Sequence, residues 1–137
     1  MIRYILAYVG TGITFAAFDA VWLTTMTDRF YKPLLGSLLA PVPDMRAAVV
    51  FYLISIFGTV FFAVHPALKT GSWHRATLNG AVLGFVAYAT YDLTNQATLA
   101  GWSTQMTVVD MGWGTVLTAA SATGGYFAAR LAGSGKA

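Results

Sequence analysis

The sequence predicts an all-α, polytopic membrane protein: a four-helix bundle with a short interfacial helix between spans one and two. Two observations carry that reading. Of 137 residues, 57% are hydrophobic and only 9% are charged, whereas a soluble domain carries roughly 25% charged residues to face water. The apolar residues also gather into four long runs separated by short polar stretches. In lipid, a helix is the spanning form that satisfies its own backbone. One domain accounts for residues 1–132, with spans at about 5–25, 47–64, 76–94 and 106–131, and residues 133–137 read as a flexible tail.

The first run is long enough to cross roughly 30 Å of hydrocarbon at about 1.5 Å per residue. Arg3 ahead of an apolar run also suits a signal peptide. The length of the run, its interruption by Asp19 and the absence of an A-x-A cleavage site favour a retained span. Residues 26–46 mix Asp28, Arg29, Phe30, Tyr31 and Lys32 with Pro33, Leu34 and Leu35. That mixture predicts a short helix in the interface, with Tyr31 at headgroup depth. Pro41 and Pro43 stop it, because proline removes a donor and restrains its predecessor. Asp44 then offers an N-cap.

The second run is uncharged and is expected to end at His65-Pro66, with a short polar loop over 67–75. Gly80, Gly84, Ala81 and Ala87 give the third run a side of small residues, on which a GxxxG spacing lets helix backbones approach. Residues 95–105 read as an uncharged turn, and the fourth run, rich in glycine and alanine, ends near Arg130.

Four spans return both termini to one side. That side holds Arg3, Lys69, Arg75, Arg130 and Lys136, against Arg29, Lys32 and Arg46 on the other. The bias favours cytoplasmic termini and central loop. A net charge of +3 without a basic tract or aromatic-basic interleaving gives no reason to expect nucleic acid. Without cysteine there is no disulfide framework, thiolate metal site or cysteine nucleophile.

Three aspartates interrupt the apolar runs: Asp19, Asp92 and Asp110. An ionisable side chain costs about 2.5 to 3.5 kcal/mol at the centre of a membrane helix, so each needs a reason. Counting along the spans puts all three in the outer half of the bilayer. Helical spacing gives each its neighbours: Asp19 shares a face with Phe15 and Trp22, Asp92 with Tyr88 and Asn95, Asp110 with Trp113. Turned inward, these faces form a pocket of Asp19, Trp22, Tyr88, Asp92, Asn95, Asp110 and Trp113. The aspartates would supply charge or acceptors, Asn95 and Tyr88 orientation, and the two tryptophans stacking walls.

The plainer alternatives are hydrated helix ends, an acid at the positive end of a helix, or a network that only fixes packing. His65 and His74 fall at the opposite end, which argues against a histidine–carboxylate metal site. No P-loop, dinucleotide fingerprint, nucleophile elbow or HExxH appears, and no mid-span lysine could form a Schiff base. No cofactor is expected.

The D-x-x-W of Asp19 and Trp22, the Y-D-L-T-N of Tyr91 to Asn95 and the D-x-x-W-G of Asp110 to Gly114 resemble one family. It is the small bacterial integral membrane family known as domain of unknown function 2177, and the likeness covers nearly the whole chain. The resemblance implies a four-span bacterial inner-membrane protein and supplies no activity.

Three readings stay open on the residues. The first is a pocket that binds a small polar or cationic molecule or a lipid headgroup. The second is a lipid-modifying enzyme with an Asp pair as acid and base. The third is an accessory or scaffold subunit that docks a second copy or another membrane protein. The lipid bilayer is the common partner of all three.

Overall fold

A computed structural model describes residues 1–132, so the expected tail at 133–137 lies outside the described residues. Those described residues are helical with no strand. Helix α1, Ile2–Met26, buries Ala7, Thr11, Phe15 and Asp19, a stripe at four-residue spacing, while Ile5, Val9, Ile13 and Val21 face outward. A stripe this narrow on an apolar helix is what a bundle leaves when the remaining faces meet lipid.

The helical path does not stop at Met26. One π-type turn, Thr27–Tyr31, leads into α2, Lys32–Leu35, and a 3₁₀ turn over Gly36–Leu38. The expected separate interfacial helix is therefore a broken extension of α1. Pro33 lies in the first turn of α2, where its missing donor costs least.

Asp44 caps α3, Met45–Thr59, by accepting from the backbone N–H groups of Arg46 (2.9 Å) and Ala47 (3.4 Å). Here the structure corrects the expected end at His65-Pro66. A π-type turn, Val60–Val64, carries the chain into α4, His65–Thr70, with Pro66 in its first turn. The widened turn accommodates the proline, and the Phe62 carbonyl, four residues before it, accepts from the Asn79 side chain at 3.4 Å. Gly71, at φ 67°, then reverses the chain in the left-handed conformation glycine adopts freely.

Helices α5, Trp73–Thr98, and α6, Thr104–Leu131, complete the bundle. Asn95 thus belongs to a helix, and the expected turn over 95–105 shrinks to the residues between Thr98 and Thr104. Helix α6 is central, packed against α1 on one side and α5 on the other. Both seams are antiparallel. A Cβ on Gly84 would strike the Gly114 carbonyl, and one on Gly125 would strike the Thr11 hydroxyl. The GxxxG pair Gly80 and Gly84 is therefore used within the chain, against Thr118 and Gly114 of α6.

Polarity separates along the bundle. The apolar core, including Ala7, Val64, Leu68, Ala122 and Tyr126, lies toward the α4 end, where Arg3 donates to the Leu68 carbonyl at 3.3 Å. The three aspartates lie toward the other end. Segments Ile2–Leu38 and Met45–Thr70 are each long and apolar enough to cross a membrane. Helices α5 and α6, with 26 and 28 residues, have the length but carry more Thr, Asn and Gly among their apolar residues.

Candidate functional site

The four-residue stripe of α1 ends on Asp19, and that position turns the carboxyl into the bundle. Asp92 leaves α5 on the face it presents to α6, and Asp110 lies in the second turn of α6. All three are buried: Asp92 is 0% exposed, Asp19 and Asp110 8% each. None is paired with lysine or arginine among the described residues, whose ion pair is the surface couple Lys32–Asp28.

Their partners differ. The Tyr52 hydroxyl of α3 donates to Asp19 Oδ2. The Tyr31 hydroxyl donates to Asp110 Oδ1 at 2.5 Å and itself accepts from Trp22 Nε1–H at 2.8 Å. Neither oxygen of Asp92 has a hydrogen-bond partner among the described residues, although both are buried. Leaving such a group unsatisfied costs about 1 to 3 kcal/mol, and more when it is charged.

Tyr88 joins the three acids. Its ring packs against α6 where Gly114 has no side chain, and its phenol lies within electrostatic reach of Asp19, Asp110 and Asp92. Asp92 and Asp110 are within reach of each other. The acids do not form a metal-holding group among the described residues. Asn95 faces the Tyr91 phenol rather than Asp92.

The two tryptophans come together, but away from the cleft that Tyr88 and Asp110 reach. Trp22 and Trp113 stack on each other, with centroids 4.2 Å apart and planes within 5°. No ligand ring fits between them; they buttress the α1–α6 seam and present the stack to a hollow separate from the acids. The Trp113 indole N–H is buried without a partner. That hollow, of about 520 Å³, is lined by both tryptophans together with Ala17, Phe18, Val21 and Met26.

A second cavity, about 470 Å³, opens between α3 and α5. Tyr88, Tyr91 and Asp110 form its polar end, and Phe51, Ile54 and Leu83 are among its apolar walls. Of the seven residues expected to line a pocket, only Tyr88 and Asp110 reach this cleft; Asp19 and Asp92 do not line it but lie within electrostatic reach of Tyr88. Tyr31 and Tyr52 are functional candidates that sequence reasoning left among ordinary aromatic residues. Their partners lie 79 and 33 positions away, so no local spacing announces them.

A family model described as "Predicted membrane protein (DUF2177)" matches residues 4–127. The chain belongs to this family. The match runs from α1 into the last turns of α6 and takes in all three aspartates, Tyr31 and Tyr52. No curated protein and no solved structure matches the chain. This member of a membrane-protein family, with two strongly apolar helical segments, carries three buried acids, and a buried carboxyl is costly unless it finds a partner.

Proposed function

We propose that this family member is a four-span protein of the bacterial inner membrane, with both termini in the cytoplasm. Its acidic-aromatic cluster binds a small polar or cationic molecule or a lipid headgroup. The observation that carries the reading is Asp92: fully buried, partnered at neither oxygen, and within reach of Asp110 and Tyr88 beside an open cleft. A carboxyl held only for packing would be expected to find a donor, as Asp19 and Asp110 do. One kept unsatisfied is an acceptor waiting for a ligand's donor.

A second reading, acid–base chemistry on a lipid, draws support from the inequality of the neighbouring acids. Asp110 is held by a phenol and Asp92 is not, and a pair in unlike environments can divide the roles of acid and base.

Native mass spectrometry with lipid extraction, on protein purified in mild detergent, tests the binding reading. Wild type should retain a discrete small molecule or lipid that Asp92→Asn loses. If both forms carry only bulk lipid, the binding reading fails. If Asp92→Asn keeps the molecule and loses only its turnover, the acid–base reading takes its place.

A further inference from the structure

We propose that the occupant is a single-chain amphiphile with an amine head, which enters sideways from the bilayer. Its chain lies in the α3–α5 cleft and its ammonium meets the carboxyls within reach of Tyr88. This rests on the binding reading above and adds the ligand's chemical class and its route.

The shape of the cleft supports a chain. Its lining runs from Phe51 to Thr59 on α3, from Leu83 to Tyr91 on α5 and from Asp110 to Thr118 on α6. Each stretch climbs eight positions, about 12 Å at the helical rise. That is most of one leaflet of a hydrocarbon core about 30 Å thick. The carboxyl and phenol groups gather at one end, at Asp110, Tyr88 and Tyr91, whereas the far end is made by Gly84, Thr118 and Thr59, whose hydroxyl is spent on the Ser55 carbonyl. Head and tail therefore each have a place.

The opening faces lipid. Helix α5 packs on the π turn Val60–Val64 and on α4 but diverges from α3 above them. On the α1 side the cleft is shut, because Tyr52 bonds Asp19 and stands edge-on to Phe15 at 5.4 Å. Exposed Phe51 and Ile54 form the rim, so a chain slides in without crossing polar surface.

The head is argued from charge. Among the described residues, no lysine or arginine pairs with the buried Asp19, Asp92 or Asp110, and Asp92 has both oxygens free to accept. An ammonium supplies three donors and the missing charge. Tyr88 adds an aromatic ring in the same place.

The test compares hexadecylamine, hexadecanol and butylamine by native mass spectrometry of delipidated protein in mild detergent. The variants are Asp92→Asn and Gly58→Leu. Gly58 lines the cleft, and a Cβ there meets nothing within 4 Å, so a leucine can enter the chain's path from that wall. Wild type should retain hexadecylamine at least about tenfold better than either comparison ligand, and each variant should lose that advantage. If Gly58→Leu melts early, Ala87→Leu, on the facing wall, makes the same test.

Equal retention of butylamine would mean the site takes a free amine, overturning the chain and the lateral route but leaving the binding reading intact. Equal retention of hexadecanol would overturn the ammonium. Retention of hexadecylamine unchanged by both cleft variants would overturn the cleft as its seat. If wild type retains none of the three, the proposal falls, while loss of a co-purified molecule in Asp92→Asn still decides the binding reading separately.

Discussion

Asp110 stays under cover because one phenol reaches it from a distant part of the chain. Tyr31 satisfies the carboxyl and is itself held by the Trp22 indole, so removing its hydroxyl strips a buried carboxyl of its hydrogen-bond partner. Tyr31→Phe should therefore lower stability by about 1 to 3 kcal/mol, read as a lower melting temperature in a fixed detergent. An unchanged melting temperature would show that Asp110 does not depend on Tyr31. Asp92→Asn should behave in the opposite way. With no partner to lose, the ligand-free protein should melt at the same temperature or higher, the signature of a group retained at the expense of stability. A marked fall would instead favour the packing-network reading. These cases also show what the sequence disclosed of the site. Asp19, Asp92 and Asp110 announce themselves because a charge in an apolar run is conspicuous. Tyr31 and Tyr52 do not, since a tyrosine near a membrane interface has an ordinary explanation and its partner is fixed only when distant helices pack.

At the scale of the element, the α5–α6 seam depends on missing side chains. A Cβ on Gly84 would meet the Gly114 carbonyl and the Thr118 hydroxyl, and neither belongs to a side chain that can swing far away. Gly84→Ala should cost about 1 to 3 kcal/mol by overpacking and should push Tyr88 and Asp92 away from α6, weakening ligand retention too. Gly112→Ala is the matched control, because its Cβ meets nothing within 4 Å. It should be neutral or stabilise by up to about 1 kcal/mol through helix propensity. Equal melting shifts for the two variants would dismiss close approach as the reason for Gly84. The spacing of Gly80 and Gly84 made close packing legible but could not say against what, since a second copy and α6 satisfy the same pattern. The continuation through Pro66 was hidden for another reason. Proline is a helix breaker on average, and only the π turn ahead of it together with the Asn79 side chain makes the exception.

For the whole molecule, the packing has a consequence for topology. Tyr31 meets Asp110, so the α1–α3 connection and the α5–α6 turn lie at one end of the bundle. Arg3 meets the Leu68 carbonyl and Tyr4 lies 5.5 Å from His65, which puts the start of α1 and the α4–α5 turn at the other. If all four legs cross the bilayer, the two ends face different compartments. The absence of native cysteine makes this directly measurable. Ser37→Cys and Ala100→Cys probe the end with the acids, and Thr70→Cys probes the opposite end; all three positions are exposed. With the cytoplasmic bias of Arg3, Lys69, Arg75 and Arg130, a membrane-impermeant thiol reagent applied to spheroplasts should label residues 37 and 100 and spare residue 70 until the membrane is opened. Labelling of residue 70 alone would keep the four spans and invert them, moving the cleft to the cytoplasmic leaflet. Labelling of all three in intact spheroplasts would remove the four-span arrangement, and with it the lateral path from one leaflet into the cleft.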